Sequence, residues 1–452
     1  MIAEKVGLFK VMSLEILGAL EGYLEPYVSV LPDARLRASL RQCVPGLLAA
    51  GSPQLTKVAA HAPDQGTSGW ARTKRFYRLM KTSAFTHRSW LQPLYADARA
   101  VAQTAAGRVV VALDPVNLEN AYTRRLEGVS RVRKSTPPGC LTGRSKARIT
   151  YGYPAILAQV VNRAQPAIPY VRLFSYQTMD FTSENWELMR AMRTIRTVLS
   201  DMTVCIVADA GLDDQKLFRY ANRLGLEFVI RASAKRWVEV YNPRRECWEP
   251  EMLEDLVASA PRAYRFQTAF THAGRTTLVN VTLDWLQIRL PDSKQPLWAL
   301  ISEGGPSSEP LLLITNRPTG TLSQAMQVYQ DWRQRPTIEH LYRFIQEDGL
   351  DVEKIQLHTL ERRRRALILV LVAALFALRL PQLWSPAVLS WLRHLGSGIA
   401  GTSIDRGGPY LLLAGLQALL TAHAVLAAFL SSLPDPGGGP LPPPLVLGRS
   451  CG

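Results

Sequence analysis

The sequence predicts a mixed α/β core between helical flanks, and three observations predict it. Between residues 106 and 232, apolar β-branched runs that read as buried strands alternate with runs of helical spacing. Two of those strands end in a carboxylate: Asp114 closes Val109–Leu113, and Asp209 closes Val204–Ala208. A third acid, Glu339, stands near the start of a helical run, Ile338–Gln346.

Size and charge bound the rest. A chain of 452 residues exceeds one core and predicts roughly two to four domains. The apolar content of 47% is ordinary, but the formal net charge of +16 is not. That excess calls for a polyanionic partner, nucleic acid or an anionic membrane. The five cysteines are scattered and none forms a Cys-x-x-Cys pair, which argues against a zinc site or a disulfide framework and for a reducing compartment. Glu4 and Glu15 interrupt the first twenty residues, so no clean apolar signal-peptide core is expected there.

In chain order, residues 1–105 read as helical, with apolar residues at helical spacing in Leu8–Leu20 and Leu36–Leu48. Within them, Trp70–Met80 mixes four cations with three aromatics, the groups that phosphate contact and base stacking use. Ala155–Val161 and Tyr170–Phe174 are expected as partner strands of Val109–Leu113. Ser183–Leu199 is expected as a helix capped by Ser183, and Asp214–Leu224 as another; Phe228–Ala232 closes the run as a strand. Residues 233–320 carry short strand-like runs broken by Gly, Pro and Ser, with a hairpin at 272–274, and read as an all-β insertion. From Gln324 the chain turns helical again. Residues 321–380 hold Glu339 and the run Arg362–Arg365, which suits a DNA-tracking or membrane-flanking face or a solvated helix end. Residues 381–452 form a helical C-terminal region with a Pro/Gly-rich tail, expected to be extended or disordered. Ala366–Leu378 is too short to span hydrocarbon, and Gln417, Thr421 and His423 interrupt Leu411–Leu430, so buried helices are expected rather than a membrane span.

Three carboxylates suit phosphodiester chemistry. Such a site holds two divalent ions about 3.5–4 Å apart, one activating the attacking oxygen and the other steadying the leaving oxygen. Hard Mg²⁺ or Mn²⁺ accepts oxygen ligands and keeps several waters, so two or three carboxylates suffice. RNase H-like cores gather them in this way, from two strand ends and a later helix. The expected fold is therefore an RNase H-like α/β core with an all-β insertion and α-helical N- and C-terminal domains. Taken singly, each acid has a plainer account: an Asp after a strand is a common turn residue or cap. Asp213 and Asp214 crowd Asp209, but they lie where a helix begins, and capping explains them. For the third acid, Arg335 with Glu339 competes with Arg343, Glu347 and Lys354, and spacing alone does not separate the two registers.

From Ile338-Glu339, Tyr342 and Gly349-Leu350, the chain resembles DDE transposases of cut-and-paste bacterial insertion sequences, the group with a Tyr-Arg-Glu-Lys signature around the last acid. Leu113-Asp114 and Val207–Asp214 are similar to that family's first and second acid motifs. The resemblance, over roughly residues 50–380, implies that Asp114, Asp209 and Glu339 are both catalytic residues and metal ligands, with Asp114 bridging two ions. Arg335 matches the signature Arg, a DNA-phosphate contact; Trp332 falls on its Tyr position and Gln346 on its Lys position. Arg343 or Arg333 is then expected to replace the lost Lys charge. Pro336 is expected to open the helix, leaving Arg335 just outside it.

Other DNA contacts are expected from charge. Residues 121–150 hold eight cations against the single acid Glu127, and a basic flexible loop there suits phosphate contact through Arg131, Arg133, Lys134, Arg144, Lys146 and Arg148. Arg72, Lys74 and Arg75 are the corresponding residues of the N-terminal domain. The expected function is metal-dependent cleavage at element ends and strand transfer into target DNA, by a homodimer on double-stranded DNA in the bacterial cytoplasm, associated with the nucleoid and not with a membrane. A non-transposing nuclease of the same fold and an inactive basic DNA-binding protein are the alternatives.

Overall fold

A computed structural model describes residues 2–63, 66–120, 124–134, 149–272, 275–291, 293–304, 309–346, 349–401, 403–404 and 408–432. Arg144, Lys146, Arg148, Glu347 and the 434–444 tail lie outside the described residues. The N-terminal part folds as α1 (Ile2–Ser29), α2 (Ala34–Ala50), α3 (Leu55–His61), α4 (Gly69–Lys81) and α5 (His87–Ala102). Their ends carry the local chemistry that helix termini need: Asp33 and Ser68 accept from Leu36 N and Ala71 N, and Gly51 closes α2 at φ 56°.

The centre contains β1 (Val109–Glu119), β2 (Ser130–Arg133), β3 (Ile149–Val160), β4 (Ala167–Leu173), α6 (Glu184–Val198), β5 (Val204–Ala208), α7 (Gln215–Arg223) and β6 (Glu227–Arg231). Ser183 caps α6 and Asp214 caps α7. These strands lie in the order β4-β3-β1-β5-β6, with β1 antiparallel to β3 and parallel to β5. Alternation assigns each face. Val109, Val111 and Leu113 pack with α6 and α7, while Val110 and Ala112 face the helical side.

Two expectations change here. The flexible loop expected over 121–150 contains β2, whose buried Ser130 and Val132 alternate with exposed Arg131 and Arg133, a period of two that sheet pairing with β3 rewards. The segment 233–320 holds β7 (Trp237–Asn242), β8 (Cys247–Met252), α8 (Leu253–Ser259), β9 (Tyr264–His272), β10 (Arg275–Arg289), β11 (Leu297–Glu303) and β12 (Leu311–Thr315). It is not all-β, because α8 buries Leu253 and Leu256 and places Glu254 and Asp255 in its first turn. Nor does it stand apart: β12 pairs antiparallel with β6, so one sheet runs β2-β3-β1-β5-β6-β12-β11-β10-β7-β8.

The remaining helices are α9 (Leu322–Trp332), α10 (Thr337–Gln346), α11 (Leu360–Leu378), α12 (Leu380–Leu383), α13 (Pro386–Ala400) and α14 (Gly408–Ser432). The arginine run at the start of α11 does not serve as an open cationic face. Arg365 is buried and donates to the carbonyls of Leu79, Met80, Thr82 and Phe85, which lie at and beyond the C-terminal end of α4. Arg363 is buried over the Tyr153 ring and donates to Leu357 O; Arg364 donates to Leu173 O. The physical reason is that orphan carbonyls at a helix end need donors, and α11 passes close enough to supply them. Within α14, Gly408–Leu426 is long and apolar enough, by length and composition, to cross a membrane. In the structure Leu412, Leu416 and Leu419 are buried, and α14 packs on α13 and α2. Gly396 and Gly415 allow that approach: a Cβ on either would sit 2.1 Å from a backbone carbonyl oxygen of the other helix.

Candidate active site

Register brings the first two acids together. β1 and β5 pair in parallel with Ala112 opposite Val207, and two more residues along each strand reach Asp114 and Asp209. Parity then turns both toward the helical side of the sheet, the face of Val110, Ala112, Cys205 and Val207. The third comes from α10, which buries Ile338, Leu341, Tyr342 and Ile345. Residues 335, 339, 342 and 346 form one stripe at helical spacing, and that stripe lies along β1. Arg335 Nη2 is 3.0 Å from Asp114 Oδ1, the Tyr342 hydroxyl donates to Asp114 O at 2.7 Å, and Gln346 Nε2 is 3.4 Å from Asn117 O.

The three acids meet at one guanidinium. Arg335 Nη2 also lies 3.7 Å from Asp209 Oδ2, and its Nη1 pairs with Glu339 Oε1. Because both Asp oxygens sit on one nitrogen, they lie within about 7 Å of each other, a span that a pair of ions about 3.5–4 Å apart can serve. The side chains of Asp209 and Glu339 are each 43% exposed, whereas that of Asp114 is 15% exposed. Burial pushes the Asp114 carboxyl up to about 6; Arg335 opposes the rise, and Asp209 and Glu339 add to it. Gly349 completes the support, since a Cβ there would lie 2.1 Å from Phe344 O, the oxygen that accepts from Leu350 N.

Arg335 therefore sits where the sequence places it, in the turn before α10, but α10 begins at Thr337 rather than Pro336. It is spent on the three acids and is not turned out toward a phosphate. Trp332 Nε1 donates to Ala208 O, the residue before Asp209. Arg333 stacks on Phe270 at 4.1 Å and is held by β9. Arg343 is exposed on α10, one turn past Glu339. Arg72 is buried and donates to the Ala59 and Thr67 carbonyls, so it is a structural donor rather than a DNA contact; Lys74 lies over Trp70 at 5.3 Å, and Arg75 donates to Thr67. Asp213 is taken by Arg236 and Ser233 N, and His340 is exposed, which leaves neither at the acids.

A cavity of about 560 Å³ lies on the other, α6-bearing face of the sheet, past the ends of β1 and β5; Pro115, Asn117, Ile156, Leu188, Gly211, Arg131, Arg133, Tyr176 and Asn185 are among its lining, and the three acids are not. Lys134 stands next to it, 3.7 Å from Glu119. Sequence reading did not reach Tyr176 or Asn185, which have no motif of their own; the anchoring hydroxyl of Tyr342 is visible in the sequence only as an aromatic three residues after Glu339.

No group of three or more His, Cys, Asp or Glu is drawn tightly enough to hold an ion among the described residues, since Arg335 stands at the centre of the acids. The donor set nevertheless fits a hard divalent cation. It is all carboxylate oxygen, and three carboxylates gather about a single guanidinium.

Residues 186–376 match the family described as "Transposase DDE domain". The matched stretch contains Asp209 and Glu339 and begins after Asp114. No curated protein matches the sequence. Among solved structures, the cryo-EM structure of the piggyBac transposase synaptic complex with hairpin DNA is similar over 93% of this chain and 80% of that chain, at 10% identity and a TM-score of 0.41.

Proposed function

We infer that this chain is a DNA transposase that cuts the ends of a mobile element and joins them to target DNA. The observation that carries the reading is the meeting of Asp114, Asp209 and Glu339 at the Arg335 guanidinium, within a chain whose residues 186–376 match a transposase DDE domain. The strand order β4-β3-β1-β5-β6, with β3 antiparallel to the parallel trio, supports an RNase H-like core, flanked by helical parts and extended by the strands of 233–320.

DDE transposases generally use divalent metal ions, and Asp114, Asp209 and Glu339 would hold two, Mg²⁺ or Mn²⁺. Bound there, such ions supply an activated water or 3′-hydroxyl and charge relief at the leaving oxygen. The chain's own contributions follow from its contacts. Asp114 is fixed through its carbonyl by Tyr342, and the end of β5 is fixed through Ala208 O by Trp332, so both strand-borne acids hold position. Arg335 pairs with all three acids, with Glu339 and Asp209 open enough to exchange that partner. Arg131 and Arg133 are exposed on β2 and suit phosphate contact, which positions DNA without reading its sequence. Two element ends must be cut together, which asks for two copies of the site, so a homodimer on DNA is part of the proposal. The net charge of +16 supports a nucleoid-associated cytoplasmic protein.

The test is to incubate the protein with Mg²⁺ and DNA bearing the ends that flank its own gene, alongside Asp209→Asn. Paired-end cleavage and strand transfer by the wild type, lost in the variant, are expected. Cleavage without joining would favour a non-transposing nuclease, and equal activity in both proteins would overturn the site.

A further inference from the structure

On the outer edge of β4, two strands from Asp114, α5, β4, α6 and α11 enclose a second cavity of about 240 Å³. Its wall carries Arg88 and Tyr95 from α5, Tyr170 and Arg172 from β4, Arg190 from α6 and Arg364 from α11. Spacing puts them there: 88, 91 and 95 share a face of α5, as 187, 190 and 194 share a face of α6.

The charges do not balance. Glu187 is fully buried, 2.6 Å from Arg172 and 3.9 Å from Arg190, and Asp180 lies 2.8 Å from Arg172. Glu361 is taken by His87 and Arg365. That leaves four guanidiniums facing two carboxylates in a half-enclosed space. Arg364 is the most compromised, since burial and neighbouring Arg172 push its pKa down further than Asp180, Glu361 and Glu187 raise it. The unfilled demand has a second sign: Tyr170 is 3% exposed, and its buried hydroxyl has no hydrogen-bond partner among the described residues. Gathered like charges and an orphan hydroxyl are each costly, and an anion that accepts several hydrogen bonds removes both costs. Guanidinium forks match the tetrahedral oxygens of phosphate.

We propose that this cavity is a binding site for a phosphate-class anion, received by Arg88, Arg172, Arg190, Arg364 and the Tyr170 hydroxyl. The anion is either free phosphate or a backbone phosphate of DNA. The proposal does not rest on the transposase reading.

The test uses the full chain, Tyr170→Phe and Arg88→Gln. Thermal unfolding is followed in sodium phosphate against sodium chloride at equal ionic strength, and affinity for a duplex of about 20 base pairs is read by anisotropy across salt. In chloride, Tyr170→Phe should melt at or above the wild type, because it removes a buried hydroxyl without a partner. Phosphate at about ten times its Kd should raise the wild-type unfolding temperature by roughly 2 °C, and most of that rise should vanish in Tyr170→Phe. That result supports the site with free phosphate as the source. No response to phosphate, with duplex affinity about fivefold weaker in both variants, supports it with DNA as the source. If neither probe distinguishes Tyr170→Phe from wild type, the inference is overturned, even if Arg88→Gln weakens DNA binding through surface charge alone.

Discussion

Replacing Arg365 by Met tests whether the arginine run of α11 serves the fold or the DNA. Arg365 is 3% exposed, lies over the Phe85 ring at 4.3 Å, and donates to four backbone carbonyls while pairing with Glu361. Met keeps the length of the stem and removes every donor. The Leu79 and Met80 oxygens belong to the last turn of α4, and those of Thr82 and Phe85 to the turn after it, so all four lose a buried charged partner at once. Unsatisfied buried groups cost about 1–3 kcal/mol each, but relaxation and water entry do not let four such costs add in full. Breaking one buried charged network typically costs about 3–5 kcal/mol, and that is the expected loss here. Urea unfolding at pH 7 measures it as a fall in midpoint at constant slope. DNA affinity of the folded variant should equal that of the wild type. A stability change under about 1 kcal/mol, together with weakened DNA binding and a shallower salt slope, would refute the structural role.

Four further outcomes are expected. Asp114→Asn, Asp209→Asn and Glu339→Gln should each lower end cleavage by at least about a thousandfold, as loss of a group that places transition-state charge does, with unfolding otherwise cooperative; cleavage assays on end-bearing DNA decide. In chelator, wild-type stability should fall as pH rises from about 4 to about 6, because the folded state keeps a proton on Asp114 that the unfolded state has lost; a shift of roughly two units corresponds to about 3 kcal/mol, and Asp114→Asn should flatten that slope in pH-dependent urea titrations. Gly415→Ala should cost about 1–3 kcal/mol, since its methyl would meet Leu392 O at 2.1 Å, and a melting temperature equal to wild type would contradict the close helix crossing. Trp332→Phe keeps the ring but drops the donor to Ala208 O; cleavage should slow by about tenfold with little change in melting temperature, measured in the same assays.

Much of the site was legible because strand parity and helical spacing are written in the sequence. Val109–Leu113 and Val204–Ala208 alternate faces, so the carboxylates that follow them point the same way once the strands pair in parallel. The stripe 335, 339, 342 and 346 needs only a helix to line up. The competing register at Glu347 could not be dismissed from spacing, and Glu339 is favoured by what its stripe touches on β1. What stayed hidden was long-range. That Arg72 and Arg365 spend their donors on carbonyls far along the chain is invisible to a reading that counts charge. Pairing of β12 with β6, which joins the later strands to the core sheet, depends on partners more than 80 residues apart and leaves no local mark.

That junction limits how the protein can change shape. Since backbone hydrogen bonds run unbroken from β2 across to β8, no seam separates the strands bearing Asp114 and Asp209 from the outlying hairpins. A clamp hinged between those strands is not available among the described residues. Adjustment to a bulky polymer has to be borne by twist spread over many strands, and by short side-chain moves such as the release of Arg335. The plate thus acts as an anvil, with its tooling at the ends of two central strands.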